Sequence, residues 1–217
     1  MLAAWGPIEN LTEWLKDISG HWWFLAVILV IAFLDSVIPV VPSETTVIIG
    51  GVAASAAGNA PYPVYLVIIA GAIGAFCGDN FSYEIGHRFS GRVARRAERK
   101  PKTAQRLSWA ADQIEERGGL LLITARFIPG GRTLLTLSCG LTRQSHRWFA
   151  TWVAVAASLW AAYASILGYV FGERFQDNHT TAFVLAFAAA LGITFLIELV
   201  RWVRKRRTRE AAERTAV

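Results

Sequence analysis

Five charged residues lie inside apolar stretches of this sequence: Asp35, Glu44, Asp79, Arg126 and Arg132. A charged side chain at the centre of a membrane helix costs about 2.5–3.5 kcal/mol on insertion, so it usually faces a partner or a water-filled cavity. Both arginines and two of the acids lie beside helix-breaking turns, which favours a shared polar site. The alternative that the sequence leaves open is a pair of solvated surface turns.

Two of these residues have the chemistry of a phosphate site. Arg126 and Arg132 bracket the turn sequence Pro129-Gly130-Gly131, so both can point at the tip of one hairpin. Guanidinium groups are planar, permanently charged forks that match phosphate oxygens. The free backbone amides of a broken helix add further donors. We therefore predict that Arg126 and Arg132 bind the phosphate of a substrate.

The acidic residues predict ion pairing or proton coupling. A carboxylate that faces the arginines can pair with them in an empty site, or accept a proton when an anion displaces that pairing. Asp35, Glu44 and Asp79 are the candidates for this role. For Asp79, which ends the apolar part of its run, a contact with the hairpins and an ordinary helix-end position are equally open.

Turn residues divide two apolar stretches into paired short arms. Pro39 and Pro42 interrupt the first stretch, about 22–58, and the Pro-Gly-Gly turn interrupts the second, about 119–141. Proline disrupts a helix, and irregular backbone at membrane depth survives only where protein or water covers it. Paired, interrupted segments are typical of transporters built from inverted repeats. The pattern predicts two facing re-entrant helical hairpins.

The whole chain is predicted to be an all-α polytopic membrane protein whose membrane domain covers about 21–203. The other segments, each defined by its composition, are an amphipathic surface helix at 1–20, spans at 63–86, 148–171 and 181–203, a basic cytoplasmic linker at 87–118, and a basic cytoplasmic tail at 204–217.

Composition and charge support a membrane location. Hydrophobic residues make up 54% of the chain and charged residues 18%, whereas soluble domains have about 25% charged residues. The net charge is +6, but the basic residues form blocks that flank apolar runs. This follows the positive-inside rule, which places the C-terminus in the cytoplasm, and it argues against nucleic acid as a partner. The same blocks can contact anionic headgroups.

The sequence shows no pattern typical of an enzyme or of a metal site. Its four histidines are scattered, and Cys77 and Cys139 each lie inside an apolar run. No Gly-x-Ser-x-Gly, His-Glu-x-x-His or P-loop motif appears. We therefore expect no catalytic residue, no metal and no cofactor.

Four short motifs occur in order between about residues 20 and 175. They are Phe33-Leu34-Asp35 with Pro39 and Pro42-Ser43-Glu44; Gly78-Asp79 with Tyr83 and Gly86; Ala125-Arg126-Phe127-Ile128-Pro129-Gly130-Gly131-Arg132-Thr133; and Leu167-Gly168-Tyr169 with Gly172. Together they resemble the DedA family, also called the SNARE-associated or VTT-domain family.

The resemblance implies a set of functional residues. In that family the acids of the first hairpin and the arginines of the second are the functional groups, and these match Asp35, Glu44, Arg126 and Arg132 here. The family has Glu more often at the first acid, so Asp35 is a conservative departure. The resemblance also implies proton-motive-force-dependent transport and recycling of undecaprenyl phosphate or a related carrier. Other members act as phospholipid flippases or scramblases.

The expected function is therefore proton-coupled movement of a lipid phosphate, in particular a polyprenyl phosphate, across the inner (cytoplasmic) membrane. The expected partners are that lipid, membrane lipids and protons. The alternatives are a less selective phospholipid scramblase and, with less support, a membrane enzyme that acts on lipid phosphates. The sequence leaves open the length of the lipid chain, the oligomeric state and the side on which the N-terminus lies.

Overall fold

A computed structural model describes residues 19–38, 43–55, 60–126, 131–174, 184–186, 188–189 and 192, and these contain helices and no strand. The all-α class predicted from the sequence is confirmed. The seven helices with defined bounds are α1 (Phe24–Val37), α2 (Ser43–Ala53), α3 (Val64–Arg99), α4 (Pro101–Arg117), α5 (Leu120–Ala125), α6 (Gly131–Leu141) and α7 (His146–Arg174).

Two of these helices, α3 and α7, are long and apolar enough to cross a membrane. They have 36 and 29 residues, with mean hydropathies of 1.6 and 1.7 in their most apolar windows. At 1.5 Å per residue, α3 is roughly 54 Å long, whereas the hydrocarbon core of a bilayer is roughly 30 Å thick. The helix therefore continues unbroken beyond the predicted span at 63–86, into the basic segment that ends at Arg99.

Two pairs of short helices pack around this long pair. α1 contacts α3 and α2 contacts α7, while α5 contacts α7 and α6 contacts α3. The first arm of each pair therefore packs on the long helix that follows it in the chain, and the second arm packs on the other long helix. The two long helices also pack against each other.

Glycines allow the second arms to lie directly against the long helices. Gly140 of α6 faces Gly86 of α3, and Gly51 of α2 lies at the crossing that contains Gly168 of α7. A Cβ atom on any of these four glycines would lie 2.1–2.3 Å from a carbonyl oxygen of the facing helix. Small residues at such crossings let helix backbones approach closely, as in membrane proteins generally.

The apolar side chains divide into a core and an outward-facing stripe. Ile28, Val47 and Val67 are fully buried where α1, α2 and α3 meet. Tyr65, Ile69, Ile73, Phe81 and Phe89 of α3 are instead about half exposed. They recur at multiples of four residues, so neighbouring members lie on adjoining parts of the helix surface and the set winds slowly round α3. An exposed apolar stripe of this kind suits contact with lipid.

The segment before α3 is tied to the segment before α1. The hydroxyl of Tyr62 donates a hydrogen bond of 2.6 Å to the carbonyl of Ser19. Burial raises the pKa of Tyr62 far above its ordinary value, so the hydroxyl keeps the proton that it donates.

Several predicted features lie outside the described residues. These are 1–18 of the predicted surface helix, most of the predicted span at 181–203, the tail at 204–217, and the turn residues Pro39, Pro42, Pro129 and Gly130. Within the predicted linker at 87–118, the structure has the end of α3 and the whole of α4.

Candidate functional site

Four of the five charged residues singled out from the sequence meet at one place, which we call the ionic cluster. It consists of Asp35 near the end of α1, Asp79 in the middle of α3, Arg126 directly after α5, and Arg132 in the first turn of α6. Arg126 Nη1 lies 2.7 Å from Asp79 Oδ2, and Arg132 Nη2 lies 3.1 Å from Asp35 Oδ2. Arg132 Nε is a further 3.6 Å from Asp79 Oδ1. The cluster thus joins both short helix pairs to α3.

The two ion pairs of the cluster differ in exposure. The side chains of Arg126 and Asp79 are 2% and 0% exposed, whereas those of Arg132 and Asp35 are each 11% exposed. The solvated-turn alternative is therefore excluded for this cluster. The helix-end alternative for Asp79 is also wrong, because α3 continues to Arg99.

Hydroxyl groups hold the end of α1 in place beside the cluster. The carbonyl oxygen of Ser36 accepts hydrogen bonds from Ser82 Oγ of α3 at 3.1 Å and from Thr133 Oγ1 of α6 at 3.3 Å. Carbonyls in the last turn of a helix lack a partner within the helix, so these two bonds satisfy one of them. The hydroxyl of Ser43, in the first turn of α2, donates to Asp35 Oδ2. The end of α1 is thus held by α3 and α6, and the Asp35 side chain is held by α2, the other helix of its pair.

An aromatic ring supports the more deeply buried arginine. The guanidinium carbon of Arg126 lies 5.4 Å from the ring centroid of Trp160 in α7. A cation over the face of a tryptophan ring is stabilised electrostatically, most strongly where water is excluded. Trp160 is itself 2% exposed. Arg126 therefore contacts both long helices, through Asp79 of α3 and Trp160 of α7.

Three donor nitrogens and one acceptor oxygen in the cluster are buried without a hydrogen-bond partner. Within the part of the chain that the structure describes, Nε and Nη2 of Arg126, Nε of Arg132 and Oδ1 of Asp79 have none. Buried polar atoms are normally satisfied, and leaving one unpaired costs about 1–3 kcal/mol. The cluster thus has spare donors for an additional acceptor, which is the chemistry that an anionic group would supply.

Glu44, the fifth predicted residue, is not a member of the cluster. It lies in the first turn of α2, half-buried, and forms no ion pair with any residue in the described ranges. An acid at this position is stabilised by the positive end of the helix dipole. Of the predicted turn residues, Gly131 is described and is the first residue of α6.

Sequence reasoning missed four residues around the cluster: Ser36, Ser43, Thr133 and Trp160. Three of them adjoin predicted site residues, since Ser36 follows Asp35, Ser43 lies between Pro42 and Glu44, and Thr133 follows Arg132. Trp160 gave no comparable signal, because an aromatic residue in an apolar span is common. Among the described residues, no group of three or more His, Cys, Asp or Glu side chains is placed to hold a metal ion.

Comparisons with known proteins identify relatives of the chain. The sequence profile of the VTT domain matches residues 38–170. Protein DedA of Escherichia coli K12 is 28% identical over 187 residues, which cover 84% of each chain. The inner membrane protein YohD of the same organism is 28% identical over 179 residues, covering 80% of this chain and 88% of YohD.

A third relative is an uncharacterized membrane protein of Haemophilus influenzae. It is 31% identical over 128 residues, which cover 58% of this chain and 57% of the relative. Comparison with solved structures gives no significant match.

Proposed function

This chain belongs to the VTT-domain (DedA) family and is a membrane protein, and on that premise we propose that it moves a lipid phosphate across the cytoplasmic membrane. The lipid proposed first is a polyprenyl phosphate of the undecaprenyl type, as the family resemblance implies. Arg126 and Arg132 bind the phosphate in this proposal, and a carboxylate of the ionic cluster exchanges a proton.

The observation that carries the proposal is a pair of buried arginines with spare donors in a cluster whose charges cancel. Arg126 has two buried guanidinium nitrogens, Nε and Nη2, without a hydrogen-bond partner among the described residues. A phosphate oxygen is an acceptor matched to such groups. The lipid tail can stay in the hydrocarbon while only the charged headgroup enters the protein.

The two ion pairs have different roles in this proposal. Asp35 and Arg132 form the more exposed pair, so a headgroup that enters the cluster meets them first. Asp79 is fully buried and lies near both arginines, so it remains as their counter-ion. Phosphate displaces Asp35 from Arg132, and Arg126 adds its spare donors.

Charge balance gives the physical reason for proton coupling. Two aspartates and two arginines sum to zero, so a phosphate monoanion would leave a buried site with an uncompensated negative charge. Uncompensated charge in a low-dielectric site is expensive and is relieved when a carboxylate takes up a proton. We assign that proton to Asp35, and we retain Glu44, half-buried on α2, as a second candidate.

We propose further that the two short helix pairs are re-entrant hairpins related as inverted repeats. α2 and α6 have 11 residues each and α5 has 6, too short for a span of roughly 20 residues. In the first pair α1 packs on α3 and α2 on α7, whereas in the second pair α5 packs on α7 and α6 on α3. A two-fold relation between the pairs would produce this exchange. In addition, Gly86 is as many residues along the chain from Val64, the first residue of α3, as Gly168 is from His146, the first residue of α7.

Reconstitution tests the proposed function. Purified full-length protein is placed in liposomes that contain a fluorescent polyprenyl phosphate, phosphatidylglycerol or phosphatidylcholine, and an impermeant quencher reports movement between leaflets. We expect the polyprenyl phosphate to move faster than phosphatidylcholine, and an imposed pH gradient to drive it. A protonophore that collapses the gradient provides the control.

Two results would decide against the proposal. Equal movement of all three lipids without a gradient would identify a less selective scramblase. Release of inorganic phosphate from the polyprenyl phosphate would identify an enzyme instead of a transporter.

A further inference from the structure

The buried pair of Arg126 and Asp79 uses only part of its hydrogen-bonding capacity. Arg126 Nη1 donates to Asp79 Oδ2 at 2.7 Å. Asp79 Oδ1, together with Nε and Nη2 of Arg126, has no hydrogen-bond partner among the described residues. Guanidinium and carboxylate groups frequently pair through two parallel bonds, and a second bond here would satisfy one buried nitrogen and one buried oxygen at once. The single bond therefore needs a cause outside the pair.

Trp160 of α7 supplies such a cause. The guanidinium carbon of Arg126 lies over its ring, 5.4 Å from the centroid. A cation over a tryptophan ring is stabilised electrostatically, and the guanidinium loses this stabilisation if it turns away to make another bond. In addition, Arg132 Nε lies 3.6 Å from Oδ1 of Asp79, so a second cation draws on the oxygen that a second bond from Arg126 would use.

The short helix that carries Arg126 is held against α7 as well. α5 begins after Gly119 and ends before Arg126. A Cβ atom on Gly119 would lie 1.8 Å from an atom of the Trp152 side chain, so this tryptophan of α7 lies directly against the backbone at the start of α5. α7 thus contacts α5 at its start through Trp152 and Arg126 at its end through Trp160. These contacts limit how far Arg126 can move toward Asp79.

The part of Arg126 that stays unpaired is suited to an oxyanion. Nε and Nη2 lie on the same edge of the guanidinium group, where two N–H groups point in one direction. Together they can bind two oxygens of one phosphate. A second bond from Arg126 to Asp79 through Nη2 would divide this edge. The arrangement that leaves the ion pair incomplete therefore also leaves the bidentate edge whole.

We propose that Trp160 is a positioning residue, which holds the Arg126 guanidinium in its single bond with Asp79 and so keeps the Nε–Nη2 edge open for the phosphate of the lipid. This inference rests on the proposed function. Trp160 acts through Arg126. Without the ring, Arg126 can complete its pair with Asp79, and the phosphate must then compete with that carboxylate for Nη2.

Transport kinetics in liposomes, with a fluorescent polyprenyl phosphate as the probe, provide the first test. We expect Trp160→Leu to raise KM by about tenfold, as the loss of a desolvated cation–π contact would, with little change in kcat. Trp160→Phe keeps a ring face and should recover most of that loss. Phe149→Leu is the matched control, because it removes a buried ring of the same helix that stacks on Tyr83 and not on an arginine.

A fluorinated side chain separates the electrostatic role of the ring from its packing role. Tetrafluorotryptophan, introduced at position 160 alone by stop-codon suppression, has nearly the shape of tryptophan but a less negative ring face, so it weakens a cation–π contact. The measurement is the concentration of farnesyl phosphate that half-saturates the rise in unfolding midpoint of the full-length protein, with farnesol as the uncharged control. We expect this concentration to be about three to five times higher for the fluorinated protein.

The outcomes distinguish this inference from the proposed function. Half-saturation of the fluorinated protein at the wild-type concentration would show that the ring only fills space, and it would overturn the positioning role while the phosphate site stands. An equal rise in KM for Trp160→Leu and Phe149→Leu would overturn it in the same way. No effect of farnesyl phosphate on the wild-type protein would remove the phosphate site itself, and the positioning role with it.

Discussion

Arg126 and Arg132 differ from lysine in ways that the ionic cluster uses. Arg126 directs Nη1 to Asp79, has two more guanidinium nitrogens without a hydrogen-bond partner in the described part of the chain, and lies over Trp160. Lysine has one ammonium group on a flexible stem and cannot reproduce this arrangement. The charge alone is therefore insufficient for the proposed role.

We predict that Arg126→Lys and Arg132→Lys each abolish transport while the protein still inserts into the membrane. Arg88→Lys is the matched control, because Arg88 is exposed and its ion pair within the described ranges is with Glu84, four residues away on the same helix. Complementation at matched protein levels, or the liposome assay, provides the measurement. Normal function of both cluster variants would remove the case for a bidentate phosphate site.

The two aspartates of the cluster should respond differently to neutralisation. Asp79→Asn leaves Arg126 as a buried cation without its main partner, and breaking a buried pair in this way costs about 3–5 kcal/mol. We expect a large fall in thermal stability and yield. Asp35→Asn should be milder, because Arg132 keeps Asp79 at 3.6 Å. Equal stability of the two variants in a thermal unfolding assay would contradict this division.

Proton coupling should depend on Asp35 and Glu44. Asp35→Asn and Glu44→Gln each keep the approximate shape of the side chain but cannot exchange a proton. We therefore expect that the anion still binds to both variants but that its movement no longer follows a pH gradient. Transport by the two variants against an imposed gradient is the measurement. If both respond as the parent does, these acids are structural and Asp79 or another group carries the coupling.

At the scale of elements, glycine at the helix crossings determines how closely the arms approach α3 and α7. Because Gly86 and Gly140 have no Cβ atom, the backbone of the facing helix occupies the space that a Cβ atom would need. A larger residue would push α6 away from α3, and Arg132, near the start of α6, would move with it. The close packing of α6 on α3 therefore determines where Arg132 lies in the ionic cluster.

We predict that Gly86→Ala destabilises the protein by about 1–3 kcal/mol, the usual effect of overpacking. Gly91→Ala on the same helix is the control, because its Cβ would meet only Arg95 Nη1 at 4.0 Å. It should stabilise the helix by about 0.5–1 kcal/mol. Thermal unfolding midpoints in the same detergent compare the two. A midpoint for Gly86→Ala as high as that for Gly91→Ala would show that the crossing can relax.

At the scale of the whole molecule, charge determines orientation. Basic residues crowd the end of α3, where Arg92, Arg95, Arg96 and Arg99 are all exposed or half-exposed. Short loops rich in Lys and Arg stay in the cytoplasm. The segment before α3, around Ala60, has no charged residue between positions 45 and 78. We therefore predict that it lies on the outer side of the membrane.

Cysteine labelling in whole cells tests this orientation. In a variant that lacks Cys77 and Cys139, Ala60→Cys should react with an impermeant maleimide, whereas Lys100→Cys should react only after the membrane is permeabilised. Strong labelling of Lys100→Cys in intact cells would reverse the topology. It would also remove the hairpin arrangement proposed with it.

The sequence by itself indicated that the chain lies in a membrane and where the apolar parts of the described helices are, although α3 continues beyond its predicted span to Arg99. Apolar runs long enough to span a bilayer predicted α3 and α7, and the Pro/Gly turns predicted the divisions between the arms, because both signals are local. The charged residues could also be found without a structure. Asp35, Asp79, Arg126 and Arg132 stand out since charge in an apolar run is costly wherever the run folds.

The tertiary structure alone decided which of these charges meet. Asp79 and Arg126 are 47 positions apart, and Ser36 and Thr133 are 97 apart, so no local pattern reports their contacts. Helical periodicity shows which face a residue occupies but not which helix lies opposite. The packing of α1 and α6 on α3 therefore made Asp79 the centre of the cluster and left Glu44 outside it, although the sequence had favoured Glu44.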